Sequence, residues 1–193
     1  MIWPAPDWHE GGRERRRVTF DNIADSYHQA RPDYPAELYD ELVSAAGLSP
    51  GDRLLEIGCA TGKATLPLAA RGFRLTCLEL GHELAAAARR NLAGLDAEVI
   101  DSSFESWQPT SGSAGFDLVF AATAWHWIDP EVRYRKAWQL LRPGGHLAIY
   151  DIIHTAEYAK VFKDLGLANI KLSGYSFLWC IPSRTITATK TSA

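Results

Sequence analysis

The stretch that most constrains this chain is residues 53–65, R-L-L-E-I-G-C-A-T-G-K-A-T. Leu54, Leu55 and Ile57 make the short apolar run of a strand buried on both faces, and the run stops at Gly58. A second glycine, Gly62, precedes a helix-forming stretch, so the order is strand, tight glycine turn, helix. With no Cβ at Gly58 or Gly62 a ligand can lie against the backbone, and a helix beginning near Gly62 turns free N–H groups and a positive dipole end toward it. The turn is expected to hold a flat or anionic group.

Nucleotide-type ligands meet that description. A phosphate loop requires G-x-x-x-x-G-K-[S/T], but here the glycines are four apart and Lys63 is followed by Ala64. The dinucleotide fingerprint G-x-G-x-x-G has Ala60 at its middle position and no third glycine, which argues against a nicotinamide-dependent reductase. About 20 residues further on, a second strand over 74–80 (R-L-T-C-L-E-L) brings Glu79 to its carboxyl end, where an acid can accept from both hydroxyls of a ribose. A ribose-bearing cofactor follows.

The motifs E-I-G-C-A-T-G-K-A-T, C-L-E-L, F-E-S-W, F-D-L-V-F-A-A-T-A-W-H-W-I-D-P and L-L-R-P-G-G-H-L, in that order, resemble those of class I S-adenosylmethionine-dependent methyltransferases. The resemblance is closest to the small-molecule, methyltransferase type 11-like branch, whose members begin with a segment like F-D-N-I-A-D-S-Y-H-Q-A-R-P-D-Y-P. It implies a doubly wound Rossmann-like α/β fold: seven mostly parallel strands in the order 3-2-1-4-5-7-6, the last antiparallel, with helices on both faces. It implies S-adenosyl-L-methionine as cofactor and methyl transfer to a small-molecule acceptor. Carried over from the family, Glu56, Gly58, Cys59, Ala60 and Gly62 serve the methionine and sugar side, Glu79 and Leu80 the ribose and adenine edge, and the Ala121 backbone the methionine amino group. In the lid segment, Tyr27 would cover the sulfonium and Arg31 would meet the methionine carboxylate. For the adenine, Asp101 fits by strand position, whereas Ser103 fits if Phe104 and Trp107 set the alignment; Phe104 is carried over beside them. Ala60 replaces the commoner glycine, and its methyl should be tolerated only if φ stays below zero.

A length of 193 residues with 47% apolar and 22% charged side chains suits one domain with a sizeable core. Residues 1–19, carrying R-E-R-R-R, read as a solvated tail. Residues 20–193 read as the domain, with lid and first helix over 20–50 and the core over 51–193. A net charge of −3 without a basic face argues against a nucleic-acid partner. No apolar run approaches the roughly 20 residues of a membrane span, and the N-terminus has no apolar signal core. A cytoplasmic compartment is therefore expected; Cys59, Cys77 and Cys180 have no C-x-x-C spacing and read as buried reduced thiols, so no metal is expected. Monomer and homodimer both stay open.

Along the chain, helices are expected over 36–46, ended by Gly47, then 63–71, 83–92, 131–141 and 155–165. Strands are expected over 97–100, 116–122, 146–151 and 170–173, with a final pair over 177–181 and 184–189, and 142–145 as a turn. Asp117 reads as structural and Asp129 as a helix cap ahead of Pro130. His126, between Trp125 and Trp127 at a strand-to-helix turn, has three readings: general base, acceptor-pocket lining with the two tryptophans, or a local hydrogen-bonding role with both tryptophans in the core. The acceptor site would be completed by the lid and by residues around His154, Tyr158, Tyr175 and Trp179, or by a second subunit. Two other functions remain: a non-catalytic cofactor-binding regulator, and a methyltransferase acting on protein or RNA.

Overall fold

A computed structural model describes residues 33–110, 115–151, 168–178 and 181–189, with side chains described as far as Tyr150. The tail, Tyr27, Arg31, His154, Tyr158 and the expected helix over 155–165 lie outside the described residues, as do the side chains of Tyr175 and Trp179.

Five parallel strands form the core: β1 (Arg53–Ile57), β2 (Arg74–Glu79), β3 (Ala97–Asp101), β4 (Phe116–Ala122) and β5 (Leu141–Asp151), in the spatial order 3-2-1-4-5. β1 lies at the centre, with Leu54 opposite Leu75 on one side and Leu118 on the other. That is why its apolar run does not alternate: Leu54, Leu55 and Ile57 are all buried. Helices α1 (Ala36–Ala46), α2 (Thr65–Ala69) and α3 (His82–Asn91) cover one face, where Leu38, Leu42, Leu68, Ala85 and Ala88 pack with Leu54 and Phe120. Helix α4 (Pro130–Leu140) covers the other, with Tyr134, Ala137 and Leu140 against Leu55, Val119 and Leu147. Among the described residues no helix is long and apolar enough to cross a membrane.

Local punctuation behaves as its chemistry requires. Gly47 caps α1 at φ 61°, and the Asp129 carboxylate accepts from the Glu131 N–H at 2.9 Å to start α4. Asp117 ties strand starts together: it accepts from the Arg53 N–H at 2.8 Å and from Arg142 Nε at 2.5 Å. Burial opposes its ionisation, but these donors outweigh that and hold its carboxyl below the usual range.

Two boundaries differ from expectation. β5 begins at Leu141 rather than 146: Phe116 pairs with Leu141 and Leu118 with His146, so residues 142–145 bulge from an already paired strand instead of preceding it. Between β4 and α4 the chain makes one 3₁₀ turn, Trp125–Trp127, which the apolar pattern did not reveal.

Candidate functional site

The spatial order reverses at β1, which has β2 on one side and β4 on the other, so the carboxyl ends of β1 and β4 diverge into a crevice. The glycine turn lies at its mouth, with Gly58 at φ 72° and Gly62 at φ 84°. Their lack of a side chain serves packing as well as conformation. A Cβ on Gly58 would stand 2.5 Å from Ala124 Cβ, and one on Gly62 3.3 Å from Leu92. These two hydrogens let the loops after β1 and β4 touch and let α3 close on the turn.

The turn's N–H groups are also committed internally. Those of Gly58 and Cys59 donate to the Leu78 carbonyl at 2.8 and 3.1 Å, that of Gly62 to Cys59 O at 2.8 Å, and that of Ala60 to Glu79 Oε2 at 2.7 Å. The expected cradle for an anion is therefore not formed by these four amides, and α2, at five residues, is too short to supply one. Ala60 also departs from expectation, adopting φ 48° rather than a negative value. Its methyl is accepted at a left-handed position because the Glu79 carboxylate holds its amide there.

Glu79 is the polar centre of this edge. It is 8% exposed and its second oxygen accepts from the Gly81 N–H at 2.8 Å, so each oxygen takes one backbone amide. Leu80 follows, partly buried, and Asp101 stands opposite Glu79 in the β2–β3 register. Asp101 Oδ2 lies 2.7 Å from Nδ1 of His82 at the start of α3. Ser103 closes a local turn, its Oγ accepting from the Ser106 N–H at 3.1 Å and meeting Ser106 Oγ at 2.8 Å. Phe104 is buried in the core on the α4 face.

Behind the turn, Glu56 is buried and accepts from the Thr65 hydroxyl at 2.6 Å. Burial pushes its carboxyl up to about 7, the Thr65 hydrogen bond opposing and the Glu79 charge adding. Tyr39, above it on α1, donates to Lys63 O at 3.4 Å. Cys59 and Cys77 are free, buried thiols; a hydrogen bond between them, then burial, raises that of Cys59 well above its ordinary value.

At the end of β4, Ala121 is fully buried and Thr123 takes φ 57°, an outlying conformation for a β-branched residue. Its N–H donates to Tyr150 O at 2.6 Å, and its hydroxyl meets that of Tyr34 at 3.2 Å. Beside this contact, Lys63 Nζ lies 2.7 Å from Asp33 Oδ1. The tryptophans separate: Trp125 is fully buried, its ring edge-on to Tyr134 at 5.3 Å, whereas His126 and Trp127 are partly exposed with rings 4.5 Å apart. Trp125 is thus a core residue rather than a pocket wall.

The sequence places Tyr34 in the lid segment and Thr123 and Ala124 in the motif after β4, but assigns none of the three a specific contact. It gives no role to Lys136, whose Nζ donates to the carbonyls of Glu105 and Trp107, with desolvation by burial lowering its pKa. Lys136 lines a hollow of about 350 Å³ with Glu105, Gln108, Arg135 and Gln139, a residue set distinct from the crevice.

Residues 55–149 match the family described as "Methyltransferase domain". An uncharacterized methyltransferase of Mycobacterium tuberculosis is 31% identical over 137 residues, which are 71% of this chain and 53% of that protein. Trans-aconitate 2-methyltransferase of the same species is 29% identical over 160 residues, 74% of this chain and 56% of that protein. The chain spans about half the length of these curated relatives. Among solved structures, the magnesium protoporphyrin IX methyltransferase of Synechocystis with bound SAM aligns at a TM-score of 0.73 and 15% identity, over 98% of this chain and 100% of that one. That likeness is one of fold.

Proposed function

Because the chain belongs to the class I S-adenosylmethionine-dependent methyltransferases, we propose that it transfers a methyl group from that cofactor to a small-molecule acceptor at the carboxyl end of β4. The observation that carries this reading is the Glu79 carboxylate, held by two backbone amides at the crevice edge, where an acid can accept from both hydroxyls of a ribose. The donor set agrees. With the amides of Gly58, Cys59, Ala60 and Gly62 committed and Glu56 and Glu79 nearby, the crevice suits a hydroxyl-bearing cation better than a phosphate.

Asp101 is the better candidate for the adenine amino group, because His82 meets it through Oδ2 alone, whereas the single Ser103 hydroxyl is engaged by Ser106. Leu80 flanks the base, the turn from Glu56 to Gly62 and the Ala121 backbone take the methionine side, and the family resemblance assigns Tyr27 and Arg31 to the sulfonium and the methionine carboxylate. When bound, the sulfonium supplies an already activated methyl group, so the chain's own task is to align the acceptor and remove its proton. His126, partly exposed beside Trp127, is the proposed proton acceptor. The small-acceptor reading draws on the trans-aconitate enzyme among the relatives and on the −3 net charge. The sheet would be completed in the order 3-2-1-4-5-7-6, with β7 (Ile181–Thr189) antiparallel to β5 and β6 (Ala168–Leu178) outermost, making residues 20–193 one domain behind a short tail. A cytoplasmic monomer or homodimer is in keeping with the free thiols of Cys59 and Cys77.

The test is calorimetric titration of wild type and Glu79→Ala with S-adenosylmethionine, S-adenosylhomocysteine and NADH. Binding of the first two alone, at least tenfold weaker in the variant, is the expected result. Preference for NADH, or no binding, would overturn the assignment.

A further inference from the structure

We propose that the hollow between α4 and the loop after β3 is a binding site for a small monocarboxylate with an apolar body, separate from the crevice.

The hollow follows from how the chain crosses from β3 to β4. Among the described residues this connection carries no helix: β3 ends at Asp101, and residues 102–110 run as turns and extended chain. The flank of α4 that a crossover helix would cover is therefore left to a loop. On that flank Val132, Arg135, Lys136, Gln139 and Leu140 follow the spacing of one helical face. Glu105, Gln108 and Pro109 of the loop stand across from them, and a volume of about 350 Å³ lies between, at the lower end of the range for small-molecule sites.

Lys136 holds the two walls at that spacing. Its side chain is buried, its Nζ donates to Glu105 O at 3.0 Å and to Trp107 O, and the same atom lies 5.3 Å from the centre of the Phe104 ring. An ammonium has three N–H groups, so one is left after the two carbonyls. Desolvation weakens its hold on the proton while the Glu105 charge strengthens it, and a ligand anion beside it would act in the same direction as Glu105.

Charge selects the ligand. Arg135 is exposed, and among the described residues the side chains of Arg135, Gln108 and Gln139 form no hydrogen bond or ion pair. Glu105 is the acid of the lining, its Oε1 accepting from the Asp129 N–H at 3.0 Å. Two cations against one carboxylate leave a single positive charge, which one further carboxylate balances and a doubly charged group overshoots. The planar guanidinium of Arg135 matches a carboxylate through two parallel N–H bonds, and the two carboxamides offer donors and acceptors to a second polar group. Pro109, Val132 and Leu140 supply the apolar wall for the rest of the molecule.

The experiment titrates phenylacetate, its neutral counterpart phenylacetamide and inorganic phosphate into isotope-labelled wild type and Arg135→Ala, read from the backbone and side-chain amide signals by NMR. Phenylacetate should bind saturably with a dissociation constant on the order of millimolar, as the size of the probe allows, and should shift the Gln108 and Gln139 carboxamide signals. Phenylacetamide, without the charge, and phosphate, without the apolar body, should each bind at least about fivefold more weakly. Arg135→Ala should weaken phenylacetate about fivefold and leave phenylacetamide within about twofold of wild type, a split that a general loss of structure would not produce. No saturable shift at Gln108 and Gln139 up to about 50 mM phenylacetate would overturn the proposal, as would equal affinity for either other probe or an unchanged affinity in Arg135→Ala. Shifts centred on the glycine turn would place the probe in the crevice and overturn it as well.

Discussion

Replacing Gly58 by alanine tests whether the crevice floor is set by contact between two loops. At φ 72° a non-glycine residue pays about 1–2 kcal/mol, of which roughly 0.5–1 kcal/mol is returned because alanine loses less freedom than glycine on folding. The added methyl would also lie 2.5 Å from Ala124 Cβ, an overlap of the kind that costs about 1–3 kcal/mol in packed interiors. The sum is about 2–4 kcal/mol, a large part of the stability of an ordinary domain. Because the second contribution belongs to one named atom, it can be separated. Ala124→Gly removes the obstructing methyl, and the next nearest atom, Ala124 Cα, is 4.0 Å away. In a double-mutant cycle followed by urea unfolding, the two substitutions should couple favourably by about 1–3 kcal/mol, leaving a residual backbone cost near 1 kcal/mol. A loss below about 0.5 kcal/mol in Gly58→Ala, or coupling within the additivity error of about 0.5 kcal/mol, would refute the packing argument.

Two further outcomes follow from the same site. Ala60→Gly relieves the left-handed strain at φ 48° while keeping the N–H that Glu79 accepts; it should raise stability by about 0.5–1 kcal/mol, read as a melting temperature higher by about 1–4 °C, and a lower one would contradict it. Glu56, with its carboxyl pushed by burial from an ordinary 4.5 to about 7, holds its proton more tightly folded than unfolded, so its contribution is fully present below about pH 4.5 and is lost as pH rises through about 7. The loss is on the order of 3 kcal/mol at most; Glu56→Gln, which can still accept from Thr65, should flatten urea-derived stability between pH 5 and 8, and an unchanged pH slope would rule out Glu56 as its source.

What could be read from the chain was what depends on neighbours in sequence. The unbroken apolar run at β1, the 116–122 strand, the Gly47 stop and the Asp129 cap are decided within a few residues by burial on both faces, backbone freedom or an N–H within reach. Glu79 could be placed at the crevice because an acid ending the strand after a glycine turn has one place to go in a doubly wound sheet. Tertiary structure decided how these parts meet. Gly58 avoids a methyl at Ala124, Ala60 is held by Glu79, and Tyr34 reaches Thr123 across a separation of 89 positions. A positive φ at alanine or threonine leaves no mark in composition, since what sustains it is a hydrogen bond from elsewhere in the chain. The same holds for the turn's amides and for Trp125: whether an N–H faces a ligand or a carbonyl, and whether a ring faces a pocket or a core, depends on which strands and helices arrive beside it.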